Sequence, residues 1–328
     1  MLLLSRTEVE DLLDPEALID ELAEAMADLS AGRASVPHRV GALVPEREGM
    51  LAAMPGYAPS AGALASKLVT LFPGNAGTAL PTHQAVIAVF EPDNGRPAAL
   101  LDGTAITAIR TGAGSALATR LLARDDAAAL AILGTGVQAR SHARAVSGVR
   151  AFEELRVAGR DHAKAEAMAE ELAGELDLAV RAAASWEEAC DGADVVCATT
   201  HALEPVVRRE WLAPGAHVTS VGYNVHGREV DDATVVDSLV VVESREAALA
   251  PVPAGSNDLL QPIERGLIGV EHVHTEIGEL VEGSKPGRSS SEQITLYKSV
   301  GVAVQDGAAA ALVVRAARER GSGREVEL

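Results

Sequence analysis

Aromatic side chains are nearly absent. Phe, Tyr and Trp make up 2% of 328 residues, so the interior has to be built from aliphatic side chains. Cysteine is almost as scarce: Cys190 and Cys197 fit neither a C-x-x-C nor a metal-ligand spacing and read as ordinary reduced thiols. No apolar run approaches the ~18–20 residues needed to cross a bilayer. The opening Met1-Leu-Leu-Leu-Ser-Arg-Thr-Glu8 lacks the basic stretch and length of a secretory signal, so a cytoplasmic protein is expected. Basic residues are outnumbered, 28 against 47 acidic, for a formal charge of −19, which argues against nucleic acid or an anionic membrane as the main partner. There is no internal repeat and no low-complexity linker. No H-E-x-x-H or comparable histidine spacing occurs, so no metal is expected.

What is present is a chain long enough for two domains and a large core, with 48% hydrophobic residues and a mean hydropathy of +0.13. One stretch organises it. The apolar run Leu130-Ala-Ile-Leu133 enters Gly134-Thr-Gly-Val-Gln-Ala139, and a helical pattern continues from Val137 to about Val146. This is the G-x-G-x-x-G/A fingerprint between a strand and a helix. Gly134 allows the tight turn, Gly136 lets backbone approach a pyrophosphate, and Ala139 permits close helix–strand packing. The unpaired N–H groups of Thr135, Gly136, Val137 and Gln138 and the helix dipole then face phosphate. A second apolar run, Leu155-Arg-Val-Ala158, ends in Gly159-Arg160-Asp161, where such folds recognise the adenosine ribose. The alternative is a glycine turn in an α/β domain with no ligand. Arg160 suits a 2′-phosphate, whereas Asp161 suits a ribose 2′-OH, so the pair is mixed and leans to NADP over NAD.

In chain order, residues 5–30 read as a helical opening that Ser5 or Thr7 caps and Gly32 stops. Val36–Val40, Met50–Gly56, Ala63–Phe72, Thr82–Phe90 and Pro97–Asp102 read as strands of a mostly antiparallel sheet. The Pro92-Asp-Asn-Gly95 segment reads as a turn. A helix follows from Ile106 to Leu122. Strands at Leu178–Ala182, Asp194–Thr200, His217–Gly222 and Ser238–Val242, with short helices such as Trp186–Cys190 between them, then form a βαβ succession. The tail from Gln293 to about Arg318 reads as helix. The expected fold class is α/β: a Rossmann-type doubly wound parallel sheet plus an N-terminal α+β domain.

Lys67 lies inside the apolar strand Leu64–Val69, where lysine is costly unless paired or used; the alternative is a rim lysine snorkelling to water. With Arg39 and Arg110 it forms a set able to hold a small carboxylate, although each arginine alone also reads as a surface ion-pair residue. His83 either assists proton transfer or bonds to backbone. His201, His226, His272 and His274 read as loop histidines.

Several stretches together resemble the ornithine cyclodeaminase/mu-crystallin family: Pro37-His-Arg39, Met54-Pro-Gly56, Lys67, Leu80-Pro-Thr-His83, Leu101-Asp-Gly-Thr104 and Ile106–Ser115. So do Gly134–Ala139, Ser220-Val-Gly222, Gly227–Asp231 and Thr295–Gly301 with Gln305-Asp306. The resemblance implies a homodimer with a substrate-binding and dimerisation domain at 1–112, to which 304–328 return, and a dinucleotide-binding domain at 113–303. It implies that Arg39, Lys67 and Arg110 engage an amino-acid carboxylate and the reacting carbon. Thr111 and Gly134–Gln138 would hold the cofactor phosphates, with Thr199, Gly222, Lys298, Ser299 and Gly301 near the nicotinamide.

Members of the family include ornithine or lysine cyclodeaminases, NAD(P)-dependent dehydrogenases and reductases of amino acids or cyclic imines, and the NADPH-binding mu-crystallin type. Cyclodeaminases carry an Asp two residues after the strand ending at Gly222. Here that position is Asn224, an amide that cannot take up a proton near neutral pH. The expected chemistry is therefore hydride transfer between nicotinamide and the α-carbon of a small amino or imino acid, with Lys67 as acid/base and Asn224 orienting the substrate. The alternatives are a cyclodeaminase and a binding protein.

Overall fold

The computed structural model describes residues 1–327; Leu328, the last residue of the expected returning segment, lies outside them. In chain order the elements are β1 (Leu2–Leu4), α1 (Arg6–Leu12), α2 (Pro15–Ser30), β2 (Val40–Val44), β3 (Gly49–Ala58), β4 (Ala63–Leu71), β5 (His83–Phe90), β6 (Pro97–Asp102) and α3 (Gly103–Leu122). Next come β7 (Ala129–Leu133), α4 (Val137–Ser147), β8 (Glu154–Ala158), α5 (His162–Ala173), β9 (Ala179–Ala182), α6 (Trp186–Cys190), β10 (Val195–Ala198) and β11 (His217–Ser220). The remainder is α7 (Asp232–Asp237), β12 (Ser238–Val242), α8 (Arg245–Ala248), α9 (Asn257–Glu264), β13 (Thr275–Glu276), α10 (Ile277–Val281), β14 (Ile294–Lys298), α11 (Ala303–Arg320) and β15 (Arg324–Glu325). They form two compact units, one of Met1–Arg110 with the segment returning from Gly301, the other of Thr111–Val300.

In the first unit a seven-stranded sheet runs in the order β15-β1-β6-β5-β4-β3-β2. Strands β2 to β6 are antiparallel neighbours, while β1 lies parallel to β6 and pairs with β15. Helix α11 packs on β3 and β4 and against α2. Its approach needs Gly56, because a Cβ there would sit 2.9 Å from the Cβ of Ala303.

Two expectations about the first half are corrected, and one element was not anticipated. The helical opening is two helices, because Pro15 has no N–H to continue α1, and Asp14 caps the new start by accepting the amides of Glu16 (3.0 Å) and Ala17 (3.4 Å). Residues 36–39 are not strand, since the ladder with β3 begins only at Val40, beyond Pro37. The short strand β1, too brief to show a period, precedes both helices.

The second unit is an eight-stranded sheet, β13-β12-β14-β11-β10-β7-β8-β9, parallel throughout. The order reverses between β7 and β10, which makes the crevice beyond their carboxyl ends the ligand position of a doubly wound sheet. Strands β7, β10, β11 and β14 are buried along their whole length. Burying each Val or Leu there contributes roughly 1.5–3 kcal/mol, so an aliphatic core suffices without aromatic bulk. The tail is corrected here: Ile294–Lys298 is a central strand and the helix begins only at Ala303. A strand buried on both faces shows no alternation, so its period does not separate it from the helix that follows. The last carbonyls of α3 are taken by arginines: Arg150 donates to Arg120 (2.9 Å) and Ala123 (3.0 Å), and Arg288 to Leu122 (2.8 Å). Among the described residues no helix is long and apolar enough to cross a membrane.

Candidate functional site

In the first unit the cationic residues converge on the start of α11. Lys67 points inward from β4 and is 3% exposed, and its ammonium lies 2.7 Å from Asp306 Oδ2. From α3, Arg110 donates its Nε to Asp306 Oδ1 (3.0 Å) and its Nη1 to Gln305 Oε1 (3.0 Å). Arg39, half-buried ahead of β2, donates Nη2 to the Gly301 carbonyl (3.1 Å). Gly301 has φ +76°, and a Cβ there would lie 2.9 Å from Arg110 Nη2. Asp102 helps place Arg110 by accepting the Ala105 amide (2.7 Å) at the start of α3.

Burial drives the Lys67 ammonium down to about 8; Asp306 opposes that shift, and the neighbouring Arg110 and Arg39 charges add to it. Burial alone would raise the Asp306 carboxyl, but Lys67 and Arg110 hold it below its usual range. Two buried cations on one buried anion leave a positive surplus, in a chain whose formal charge is −19. Such an arrangement can hold an anion. His83 stands exposed at the start of β5, its Nδ1 3.2 Å from Thr82 Oγ1.

In the second unit Gly134 follows β7 with φ +127°, and its amide donates to the Ala158 carbonyl (2.9 Å). A Cβ on Gly134 would meet Thr199 Oγ1 at 2.6 Å; that hydroxyl donates to the Leu133 carbonyl (2.9 Å). Gly136 begins α4 with no side-chain cap, and a Cβ there would touch nothing. The contrast with its neighbours is informative: Asp161, Ser185, Asp231, Ser244 and Ser256 cap α5 to α9 with their side chains. An uncapped helix start beside an open glycine fits a dinucleotide pyrophosphate. Arg140 fixes the turn by donating Nη1 to the Thr135 carbonyl (2.7 Å). Val137 is exposed, and Gln138 is half-buried with its Oε1 buried and unpartnered among the described residues. Thr111 is buried on α3. Arg160 is exposed, while Asp161 accepts the Lys164 amide (3.3 Å).

The residues expected near the nicotinamide are held by carboxylates that sequence reading missed. Glu229, 1% exposed, accepts the Thr200 hydroxyl (2.8 Å), the Ser220 hydroxyl (2.8 Å), the Gly222 amide (2.7 Å) and the Thr200 amide. Asp258 accepts the amides of Glu229 and Val230, both at 2.8 Å. Lys298 Nζ has three acceptors, namely Asp258 Oδ2 (2.9 Å), the Gly222 carbonyl (2.9 Å) and Ser220 Oγ (3.0 Å). Three is the full capacity of an ammonium. Ser299 donates to Glu243 (2.7 Å). Asn224 turns its amide onto its own loop, accepting the His226 (2.9 Å) and Gly227 (3.1 Å) amides and donating to the His201 carbonyl (3.1 Å). Asp306 had a visible signal, since Gln305 and Asp306 are the only polar side chains in the run Val302–Val314. Glu229 lay within the Gly227–Asp231 stretch without standing out from it, and Asp258 had no signal.

Residues 1–321 match the ornithine cyclodeaminase/mu-crystallin family. The ketimine reductase mu-crystallin of Mus musculus is 40% identical over 315 residues, 94% of this chain and 95% of that protein. Among solved structures, the Thermococcus litoralis Δ1-pyrroline-2-carboxylate reductase in complex with NADH and L-proline superposes with a TM-score of 0.94 at 39% identity, covering 99% of this chain and 100% of that one. An archaeal alanine dehydrogenase dimer with bound NAD gives 0.92 at 30% identity, with 100% and 99% covered. The likeness runs through both units, and the residues on which the first resemblance rested now occupy a cation cluster and an open glycine turn: the chain belongs to the ornithine cyclodeaminase/mu-crystallin family.

Proposed function

We propose that this protein is an NAD(P)-dependent imine reductase acting on a small imino acid of the pyrroline-2-carboxylate kind. The observation that carries the reading is the buried Lys67–Asp306–Arg110 cluster with its positive surplus. Two relatives, the mouse ketimine reductase and the Thermococcus enzyme crystallised with NADH and L-proline, point the same way. The cofactor, when bound, supplies two electrons as hydride and leaves as NAD(P)+. Arg110 and Arg39 hold the substrate carboxylate, Arg by its forked donors. Lys67, as ammonium, gives its proton to the imine nitrogen as the carbon accepts hydride, and regains one from water. The second unit keeps its glycine turn rigid and open for the pyrophosphate.

Asn224 serves this chemistry by shaping its loop. With its amide committed to backbone it offers no base for releasing ammonia, which places cyclodeamination second. A panel of pyrroline-2-carboxylate, piperideine-2-carboxylate, pyruvate with ammonia, and ornithine tests the reading. Stoichiometric NAD(P)H consumption with a cyclic imine is expected. Proline and ammonia from ornithine with no net cofactor change would sink it.

For the cofactor, Asp161 is committed to capping α5 while the exposed Arg160 makes no ion pair among the described residues. This favours a 2′-phosphate, hence NADP. Arg160→Ala should raise KM for NADPH about tenfold or more, the worth of one charged contact, and leave NADH little changed. Equal effects on both cofactors refute the assignment.

The protein is proposed to be a homodimer, like the archaeal relative. The outer face of the first sheet exposes Val40 (66%), Leu51 (43%), Leu68 (39%) and Val86 (42%), and the register lines up Val40, Ala53, Leu68 and Val86 across four strands. A contiguous apolar face of this kind marks an interface, and a second copy is its occupant. Sedimentation should give a dimer, and Leu68→Asp a monomer. A wild-type monomer at micromolar concentration would overturn this. We place the protein in the cytoplasm, where the buried thiols of Cys190 and Cys197 stay reduced; cell fractionation checks it.

A further inference from the structure

The carboxylate between the two buried cations has no role in the chemistry so far. Around Lys67, β4 contributes the ammonium itself, α3 contributes Arg110, the segment before β2 contributes Arg39, and α11 contributes Gln305 and Asp306. Asp306 is the one anion in that set. Its two oxygens are divided, Oδ1 to Arg110 Nε at 3.0 Å and Oδ2 to Lys67 Nζ at 2.7 Å, and it is 1% exposed. Its position in the first turn of the 18-residue helix α11 puts the helix dipole behind the negative charge. The backbone is committed as well, because Gln305 Oε1 accepts both Arg110 Nη1 (3.0 Å) and the Val302 amide (3.2 Å). Gln305 and Asp306 together therefore tie Arg110 to the first turn of α11.

We propose that Asp306 is the positioning residue of the site: it fixes Lys67 Nζ and Arg110 at set places and keeps Lys67 an ammonium in the resting protein, ready to donate. This rests on the reading of Lys67 as proton donor. Without Asp306 the lysine would face only Arg110 and Arg39, and two like charges in a dry site expel a proton. The wild-type lysine, at about 8, donates below that pH and fails above it.

The test compares pH profiles of kcat/KM for pyrroline-2-carboxylate reduction in wild type, Asp306→Asn and Asp306→Glu. The substrate's own titration is common to all three and cancels in the ratios. Asp306→Asn should move the downward midpoint at least about one unit lower, hence a loss of about fivefold or more at pH 8, approaching tenfold or more at higher pH. Asp306→Glu keeps the charge but displaces it by one methylene, so its midpoint stays near wild type while KM rises severalfold. An unchanged midpoint and KM in Asp306→Asn overturn the proposal. If that variant does not fold, an unchanged KM in Asp306→Glu does so.

A readout free of turnover separates this from failure of the proposed activity. Between the folded value near 8 and the ordinary lysine value of 10.5, the unfolded chain binds a proton that the folded one lacks, so Lys67 makes stability rise with pH across that window. The Tm difference between wild type and Lys67→Met should therefore climb above pH 8. The same difference measured on the Asp306→Asn background should begin its climb at least about one unit lower. A shared onset overturns the inference even if no imine is ever reduced. A shifted onset in a protein that reduces no imine supports it and sinks only the proposed reaction.

Discussion

Lys67→Met lowers kcat for imine reduction by a factor of about 10²–10⁴, the usual worth of a positioned acid, and leaves cofactor affinity within a few-fold of wild type. The substitution is chosen so that loss of folding cannot imitate loss of chemistry. Methionine fills the same slot between the β3 and β5 neighbours Met54 and Ile87. It also removes one of two cations on Asp306, and Arg110 remains at 3.0 Å as a matched partner. A buried ammonium depressed to about 8 is costly to charge at neutral pH, so its removal leaves stability unchanged or raised. KM for the imino acid rises as well, because the carboxylate loses a nearby cation. Steady-state kinetics, a fluorescence titration of NADPH and a melting curve decide the matter together. A kcat within threefold of wild type removes Lys67 from the chemistry. A parallel fall in NADPH affinity would make it structural.

Gly134→Ala should weaken cofactor binding at least ~100-fold, equivalent to about 2.7 kcal/mol, and lower Tm. At φ +127° the backbone is in territory that essentially only glycine occupies, costing another residue on the order of 1–3 kcal/mol. The added methyl would also press on Thr199 Oγ1 at 2.6 Å and disturb its bond to Leu133. Gly136→Ala is the control. Its methyl meets nothing in the chain, so Tm holds and any lost affinity comes from the methyl standing where the phosphates approach. Equal Tm losses in the two variants would mean that the turn is no more constrained at Gly134 than at Gly136.

Much of this was legible before any coordinates. The strand, glycine turn and helix from Ala129 to Ser147 announce themselves because the backbone there demands specific residues. Lys67 stands out because a charge in an apolar strand is an anomaly wherever it occurs. What stayed hidden follows from two physical causes. Strand β14 is buried on both faces and lacks the alternation that marks a half-exposed strand, so it merged with the helix beyond it. The partner carboxylates Glu229 and Asp258 are hidden by composition: in a chain with 47 acidic residues, an acidic side chain is no anomaly until its burial is known. Asn224 shows a further limit. Its identity argued against proton transfer, but only the structure shows that its amide is spent on His201, His226 and Gly227.

The discontinuity of the first unit has a consequence for biosynthesis. Arg110 and Asp306 are 196 residues apart in sequence, yet they share one ion pair. At translation rates of about 5–20 residues per second, the anion leaves the ribosome roughly 10–40 s after the arginine. During that interval the nascent sheet holds two cations meant for a dry interior and nothing to neutralise them, while Thr111–Val300, one contiguous stretch, is being made. The order of assembly is then reversed from the order of synthesis, with the later-made unit closing first and the earlier one waiting for α11. Protease treatment of a released chain truncated near residue 300 should find the second unit resistant while β4 is still cut. Equal resistance of the two would show that the nascent sheet closes without its anion.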